Sequence, residues 1–461
     1  MQAPTTTTPR FVPYERRNLS SIPQLVALPP RDVHAMRVVA EVLPFRTNAY
    51  VCDQLIDWSR VPDDPIFRLT FPQREMLEAD DFACIERLLD ESAPTSVVRA
   101  AAREIQLRLN PHPADQSTLN VPRLGGQPLR GMQHKYRETV LFFPSQGQTC
   151  HAYCTYCFRW PQFVGLEDLR FAADEAETLV RYLRAHPEVT SVLITGGDPL
   201  VMRTKLLRRY IEPLLRAELP SLVSIRIGTK ALAYWPHRFT TDSDADDLAR
   251  LFEEVAESGR TLALMAHVTH PTELATDAAR AALARIRSTG AVVRCQSPIV
   301  RHVNDDAATW ARMWSDEVRL GAVPYYMFVE RDTGPRGYFE VPLVRAHSIY
   351  RDALSQVSGL ARTVRGPSMS ATPGKVVVDG VAEIHGERVL ALRFLQARDP
   401  SWVGRPFFAR FDPHATWLDG LVPAFGAREH FFERPMRELM ARTTGRVLPM
   451  LSPSDGVEAA E

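Results

Sequence analysis

Three of the six cysteines in this 461-residue chain fall within eight positions, as Cys150-His-Ala-Tyr-Cys154-Thr-Tyr-Cys157. Thiolates at C-x3-C-x2-C spacing can all bind one metal centre, but three supply one ligand fewer than a closed tetrahedral zinc site needs. Soft thiolates also suit iron–sulfur clusters, normally with one cysteine per iron. A four-iron cluster held by three cysteines leaves one iron open to a further ligand. The competing readings are a zinc knuckle completed by His151 and a group of free thiols. A second candidate is Gly196-Gly197-Asp198-Pro199. Glycines there let the backbone approach a ligand closely, and the carboxylate can accept from an ammonium or a ribose hydroxyl; alone, the segment is also an ordinary turn. His267 and His270 have the spacing of a helical metal pair, yet they fall at the end of a strand, which argues against a shared metal.

The background composition narrows the setting. Lys plus Arg equals Asp plus Glu, 55 of each, so no global field draws the chain to nucleic acid or an anionic membrane. No apolar run reaches the length of a membrane span. The start, MQAPTTTTPRFVPYERR, is polar and lacks the apolar core of a signal peptide. Cys52, Cys84 and Cys295 stand far apart and read as buried thiols, not as a disulfide framework. A reducing cytoplasm is the expected location, and it suits an oxygen-sensitive cluster.

The elements that must position these residues show in the hydrophobic periodicity. Residues 1 to about 20 read as disordered. Asp32–Leu43, Asp81–Asp90 and Ser96–Leu109 carry apolar residues at three- and four-residue intervals and predict helices; residues 110 to 133 have the composition of a linker. From Lys135 short apolar runs alternate with helical stretches. Thr139–Pro144 is followed by the cysteine loop and helix Asp174–Ala185, and Thr190–Thr195 by helix Thr204–Glu218. Ser221–Ile227 is followed by Asp244–Glu257, Thr261–His267 by Thr276–Arg287, Ala291–Gln296 by Asp305–Leu320, and Tyr325–Val329 by Leu343–Gln356. Such β–α alternation demands a parallel sheet, and chemistry then sits on loops after the C-terminal ends of strands. The cysteine loop follows the first strand and the GGDP segment the second. After about 358 the regularity ends, with short strands expected at Lys375–Val378 and Val389–Phe394. Trp402, Phe407, Phe408, Trp417, Phe431 and Phe432 read as core or interface, the segment as a cap or oligomer arm, and the last ten residues as loose.

The three-cysteine loop followed one unit later by GGDP resembles the radical S-adenosylmethionine (SAM) superfamily. VLITGGDPL, SIRIGTK (Ser224–Lys230), HVTHPTE (His267–Glu273), CQSPIVRHVND (Cys295–Asp305) and VPYYMFVE (Val323–Glu330) resemble, in this order, the lysine 2,3-aminomutase family. The resemblance runs from about Lys135 to Tyr338 and continues more weakly to about 395. It implies an α/β fold: a partial (βα)6 barrel over 134–357, with an N-terminal helical region and linker over 1–133. An irregular α+β C-terminal extension over 358–461 completes it. It implies a [4Fe–4S] cluster on Cys150, Cys154 and Cys157. SAM is then held by Tyr156, Gly196, Gly197, Asp198 and His267, and reduced through a donor such as flavodoxin or ferredoxin. In that family a 5′-deoxyadenosyl radical removes a hydrogen from Cβ of an amino acid, and the α-amino group, carried by pyridoxal phosphate (PLP), migrates from C2 to C3.

Particular positions test how far the resemblance reaches. Arg159 matches the arginine that clamps the substrate carboxylate, a task suited to a guanidinium fork; the plainer reading is an arginine paired to a structural acid. Lys375 follows Ser358-Gly359 at the family's interval for the PLP lysine, fifteen residues intervening, but the segment ARTVRGPSMSATPG departs from the family's. Tyr136 is kept in the PLP stretch, whereas Lys135 and Thr139 stand where the family carries arginines, and two extra residues precede Cys150. The two aspartates that bind the distal ammonium of lysine are replaced by Arg331 and Ser368. An ammonium facing Arg331 would be repelled without compensation, so an acidic amino acid is the expected substrate; Asp332, adjacent, would weaken this if the register slips by one. No cysteine follows Cys295, so the intersubunit zinc of some aminomutases is expected to be absent. A homodimer is expected from the long C-terminal segment. Two other functions stay open on sequence: a PLP-independent radical SAM enzyme acting on another carboxylate-bearing metabolite or a protein side chain, and a non-catalytic zinc scaffold.

Overall fold

A computed structural model describes residues 9–110, 119–164 and 176–444. Its centre is one eleven-stranded sheet whose spatial order is the sequence order. Strands are numbered β1 (Met132–Tyr136), β2 (Thr139–Phe142), β3 (Ser191–Ile194), β4 (Ser224–Thr229), β5 (Thr261–His267), β6 (Val292–Ile299), β7 (Val323–Val329), β8 (Arg365–Ser370), β9 (Gly374–Ile384), β10 (Glu387–Ala397) and β11 (Pro406–Arg410). Strands β2 to β8 are parallel to their neighbours. At one edge β1 runs antiparallel to β2, and at the other β9, β10 and β11 form an antiparallel run on β8.

Period-two alternation explains both faces of this sheet. In β4, Ile225, Ile227 and Thr229 are buried while Ser224, Arg226 and Gly228 are half-buried. The apolar face, with Val140, Val192, Ile225, Ile227, Leu262, Leu264 and Val293, packs against crossover helices that contribute Leu207, Ile211, Leu251, Val255, Leu283 and Ile286. Each such residue contributes roughly 1.5–3 kcal/mol by leaving water. The other face keeps polar side chains, and the candidate site lies there. Helices Thr204–Arg216, Ala245–Glu257, Asp277–Ser288, Ala307–Arg319 and Leu343–Ser355 match their sequence expectations closely. The helix expected from Asp174 is described from Ala176 to Ala185, its first two positions lying outside the described residues.

Helices Pro30–Val42, Ala79–Asp90 and Thr95–Arg108 answer the three predicted in the N-terminal region. Their core continues into the cysteine loop through Ala152, Tyr156 and Trp160. The expectation of disorder to about residue 20 is corrected for the described part. Pro13–Glu15 pairs antiparallel with Arg46–Asn48, Leu19 is buried, and Phe11 packs edge-on against His151 and Trp235. Three-residue strands whose partners lie some thirty residues away leave no periodic signature. Residues 1–8 lie outside the described residues, as do 111–118 of the expected linker. The rest of that linker holds a small hairpin, Arg123–Leu124 with Gln127–Pro128, and enters β1.

The expected end of regularity after 358 is also corrected. Strand β8 extends the parallel sheet, and β9 and β10 are eleven residues each. They are joined at His385-Gly386, where φ is 52° and 79°, a turn that supports a tight hairpin. Trp402, Phe407, Trp417 and Phe432 join Val376, Leu390, Leu392 and Phe394 in a third core. Those aromatics are core; Phe408 and Phe431 remain half-buried. The last ten residues lie outside the described residues. Among the described residues no helix is long and apolar enough to cross a membrane.

Candidate active site

The cysteine loop leaves the end of β2 and is clamped through its backbone by the N-terminal region. Tyr153 N donates to Arg46 O at 2.8 Å and Thr155 N to Leu69 O at 2.9 Å, while the Thr155 hydroxyl donates to Arg68 O at 2.9 Å. Cys157 N closes a turn onto Cys154 O at 3.0 Å. All three thiols are free and lie near enough for each other's charge to be felt. Burial pushes them up, Cys157 to about 12, Cys154 above its ordinary value against the pull of Lys230, and Cys150 well above it. Thiols so placed become thiolates only against a strongly positive centre, as ligation to an iron–sulfur cluster provides. Among the described residues no three His, Cys, Asp or Glu side chains converge as around a single ion. The His151 ring packs edge-on against Phe11 and is held neutral, at about 3, by burial and the nearby Arg238 and Arg46.

The GGDP loop follows β3 and lies directly on the cysteine loop. Asp198 N donates to Thr149 O at 2.7 Å. An ideal Cβ at Gly197 would sit 2.6 Å from Thr149 N and closer still to its carbonyl, and one at Gly196, where φ is +150°, would strike Gln148. The glycines are therefore needed for the contact that seats Cys150. The carboxylate of Asp198 is tied to the neighbouring strand end. It is buried and accepts from Leu200 N at 3.0 Å, Lys230 N at 2.8 Å and the Thr229 hydroxyl at 2.8 and 2.9 Å. It braces the end of β4. Gly197→Ala is expected to displace Thr149 and cost about 1–3 kcal/mol; calorimetry on cluster-loaded protein should show SAM affinity reduced by about tenfold or more.

Two residues missed by inspection sit beside the cysteines. Lys230 and Glu273 form a buried ion pair at 2.7 Å. The ammonium also donates to Thr269 Oγ1 at 2.9 Å and lies 4.6 Å from the Tyr234 ring centroid, while Tyr234 OH is 3.3 Å from Cys154 Sγ. Both close sequence motifs already noted, SIRIGTK and HVTHPTE, but their pairing needs β4 and β5 side by side. Tyr156 packs in the N-terminal core and its hydroxyl lies 3.2 Å from Thr269 Oγ1. His267, at the end of β5, is held neutral at about 3 by burial and Lys230; its Nε2 lies 3.0 Å from Gln296 Nε2. An amide donor there makes that nitrogen the acceptor. His270 instead caps the next turn, bonded to Thr272.

Lys375, at the start of β9, is turned over the Tyr326 ring, 4.1 Å from its centroid. Burial first, then Arg226 and Arg365, bring it down to about 7, so much of it is a neutral amine near neutrality. Tyr136 lies near Ser370; its hydroxyl is buried without a well-formed hydrogen bond, and burial raises it. Lys135 donates to Ala371 O, on the turn that leads to Lys375. A neutral lysine beside several cations and a buried tyrosine fits PLP. Arg159 is 8 % exposed, lies over the Phe143 ring at 4.3 Å and the Phe158 ring at 5.3 Å, and is lowered to about 10 by burial. Arg331 approaches the same Phe158 ring at 5.5 Å, with its Nε buried and unpartnered. Among the described residues neither guanidinium has a carboxylate partner in an ion pair. Ser368 is fully buried in β8 and donates to Met327 O at 3.5 Å.

No protein-family model matches the chain. It is 32 % identical over 392 residues to a protein of Aquifex aeolicus (strain VF5) named "Putative L-lysine 2,3-aminomutase", covering 85 % of this chain and 91 % of that protein. The chain belongs to the lysine 2,3-aminomutase family. With the L-lysine 2,3-aminomutase of Escherichia coli (strain K12) it shares 28 % identity over 254 residues, 54 % of this chain and 68 % of that enzyme. A solved radical SAM methyltransferase from Sphaerobacter thermophilus matches with a TM-score of 0.36 at 15 % identity, over 61 % of this chain and 91 % of that one; so slight a likeness carries no argument. As a member of this family the chain is a radical SAM enzyme of aminomutase type, with a [4Fe–4S] cluster and SAM as its cofactors. The three free thiols on one clamped loop are the residues that fit the cluster.

Proposed function

We propose that this aminomutase uses PLP and shifts the α-amino group of an acidic amino acid, such as glutamate or aspartate, to the β carbon. The observation that carries the reading is the pair Arg159 and Arg331, two guanidiniums on one Phe158 ring with no carboxylate paired to either among the described residues. Two cations without an ion-paired carboxylate among the described residues disfavour a distal ammonium and favour a second anionic group. The sheet is read as a partial (βα)6 barrel, with its half-buried polar face turned inward around this site. The division into an N-terminal region, a core over 134–357 and a C-terminal extension is kept, and a flavodoxin- or ferredoxin-type donor and a homodimer belong to the same reading.

When bound, the cluster and SAM supply the hydrogen-abstracting radical, and PLP supplies the carrier for the migrating amino group. The protein's part is positional and acid–base. Arg159 fixes the substrate α-carboxylate in a planar fork, and so fixes which Cβ hydrogen faces the radical source. Arg331 holds the distal carboxylate. Lys375 offers an unprotonated amine near neutrality, so that attack on a carbonyl needs no separate base. Neutral His267 and Gln296 line the polar face without adding charge.

The test is competition between lysine and glutamate for anaerobically prepared, SAM-loaded protein, with turnover read as a new β-amino acid. Glutamate should compete at least about tenfold better than lysine, and Arg331→Asp should shrink or reverse that ratio. Tighter binding of lysine to the wild type ends the proposal.

A further inference from the structure

The family's arginines are missing at Lys135 and Thr139, yet the space beside them is strongly basic. Arg226, on the polar face of β4, donates to Thr139 Oγ1 at 3.4 Å, and its Nε is buried without a partner. Arg365, opening β8, lies 4.6 Å from the Tyr326 ring centroid and 4.5 Å from that of Tyr325. Lys375 lies 4.1 Å from the same Tyr326 centroid, so Arg365 and Lys375 are within the reach of one small ring and its side arm. Arg226 and Arg365 both act electrostatically on Tyr326 and on Lys375. Among the described residues none of the three forms an ion pair with a carboxylate.

Cations gathered without an acid repel one another, and the arrangement is relieved by a ligand bearing more than one negative charge. A phosphate monoester carries close to two charges at neutral pH and three acceptor oxygens, and guanidinium forks match those oxygens geometrically. The Arg365 guanidinium lies close to both tyrosine rings. We propose that Arg226 and Arg365 grip the phosphate of PLP while Lys375 reaches its aldehyde carbon, the cation absent from position 139 being supplied across the sheet by Arg226. This rests on the PLP reading above, and it places the phosphate site on β4 and β8 in addition to the stretch before β2.

The test compares PLP with pyridoxal, which lacks the phosphate, on full-length protein carrying its cluster, by visible absorbance titration. Arg365→Ala alters an exposed position; Arg226→Gln keeps a donor to Thr139, and iron content and circular dichroism confirm that both variants fold. The wild type should bind PLP at least about tenfold more tightly than pyridoxal. Each variant should lose about tenfold or more in PLP affinity with pyridoxal affinity unchanged. Variants that keep the wild-type preference overturn the proposal. A wild type that binds the two aldehydes equally overturns it while leaving PLP use intact. A wild type that binds neither removes the PLP reading itself, and this proposal with it.

Discussion

Alanine at Cys150, Cys154 and Cys157 together is expected to give a chain that folds but carries neither iron nor sulfide and forms no 5′-deoxyadenosine. The fold should survive because the loop is clamped by its backbone. The bonds of Tyr153 N, Thr155 N and the Thr155 hydroxyl to the N-terminal region, and the seat of Thr149 on the GGDP loop, involve no sulfur. The chemistry should not survive, because the cluster would lose all three of its cysteine ligands on that loop. Iron and sulfide analysis of anaerobically purified protein, with chromatographic detection of 5′-deoxyadenosine, reads both halves of the prediction. Zinc without iron in the wild type, or SAM cleavage surviving in the triple variant, would refute the assignment.

Lys375→Ala is expected to abolish the visible absorbance of protein-attached PLP and to lower aminomutase turnover by about a thousandfold or more, while uncoupled SAM cleavage persists. The pH dependence adds a second readout. An ordinary lysine is neutral in roughly one molecule in three thousand at pH 7, whereas Lys375, brought to about 7, is half neutral there. PLP attachment should therefore rise about tenfold per pH unit below pH 7 and level off above it; a rise continuing to pH 10 would contradict the assignment. Stability should follow with a definite sign. Between about pH 7 and 10.5 the unfolded chain holds a proton on this lysine that the folded chain does not, so stability rises with pH, by up to about 1.4 kcal/mol per pH unit. The cost of burying the charge is full below pH 7. Lys375→Met without PLP should thus be more stable than the wild type at neutral pH, with the difference fading toward pH 10.5 in denaturant titrations.

Local chemistry and periodicity made much of this protein legible. The spacing of Cys150, Cys154 and Cys157 is a property of eight consecutive residues. The alternation of β2 to β7 with helices follows from periods of two and 3.6 residues, which need no knowledge of partners. The ordered residues 9–20 were not legible, since Pro13–Glu15 is too short to show a period and is fixed by Arg46–Asn48. The C-terminal strands were foreshortened for a related reason. Their bulges, at Lys375/Val376 and Val378/Gly380, break the alternation that would have revealed their length.

Sequence alone determined that three thiols share one loop after a strand and that a glycine pair follows one β–α unit later, and it singled out Lys375 and Arg159 as candidates. Tertiary structure decided what each side chain faces. It turned Asp198 inward to brace β4, joined Lys230 to Glu273, buried Ser368, and brought both Arg159 and Arg331 to the ring of Phe158. The difference is physical: a residue's type and its place on a strand or loop are set by neighbours in the chain, while its charge partner is set by which strands the sheet brings together.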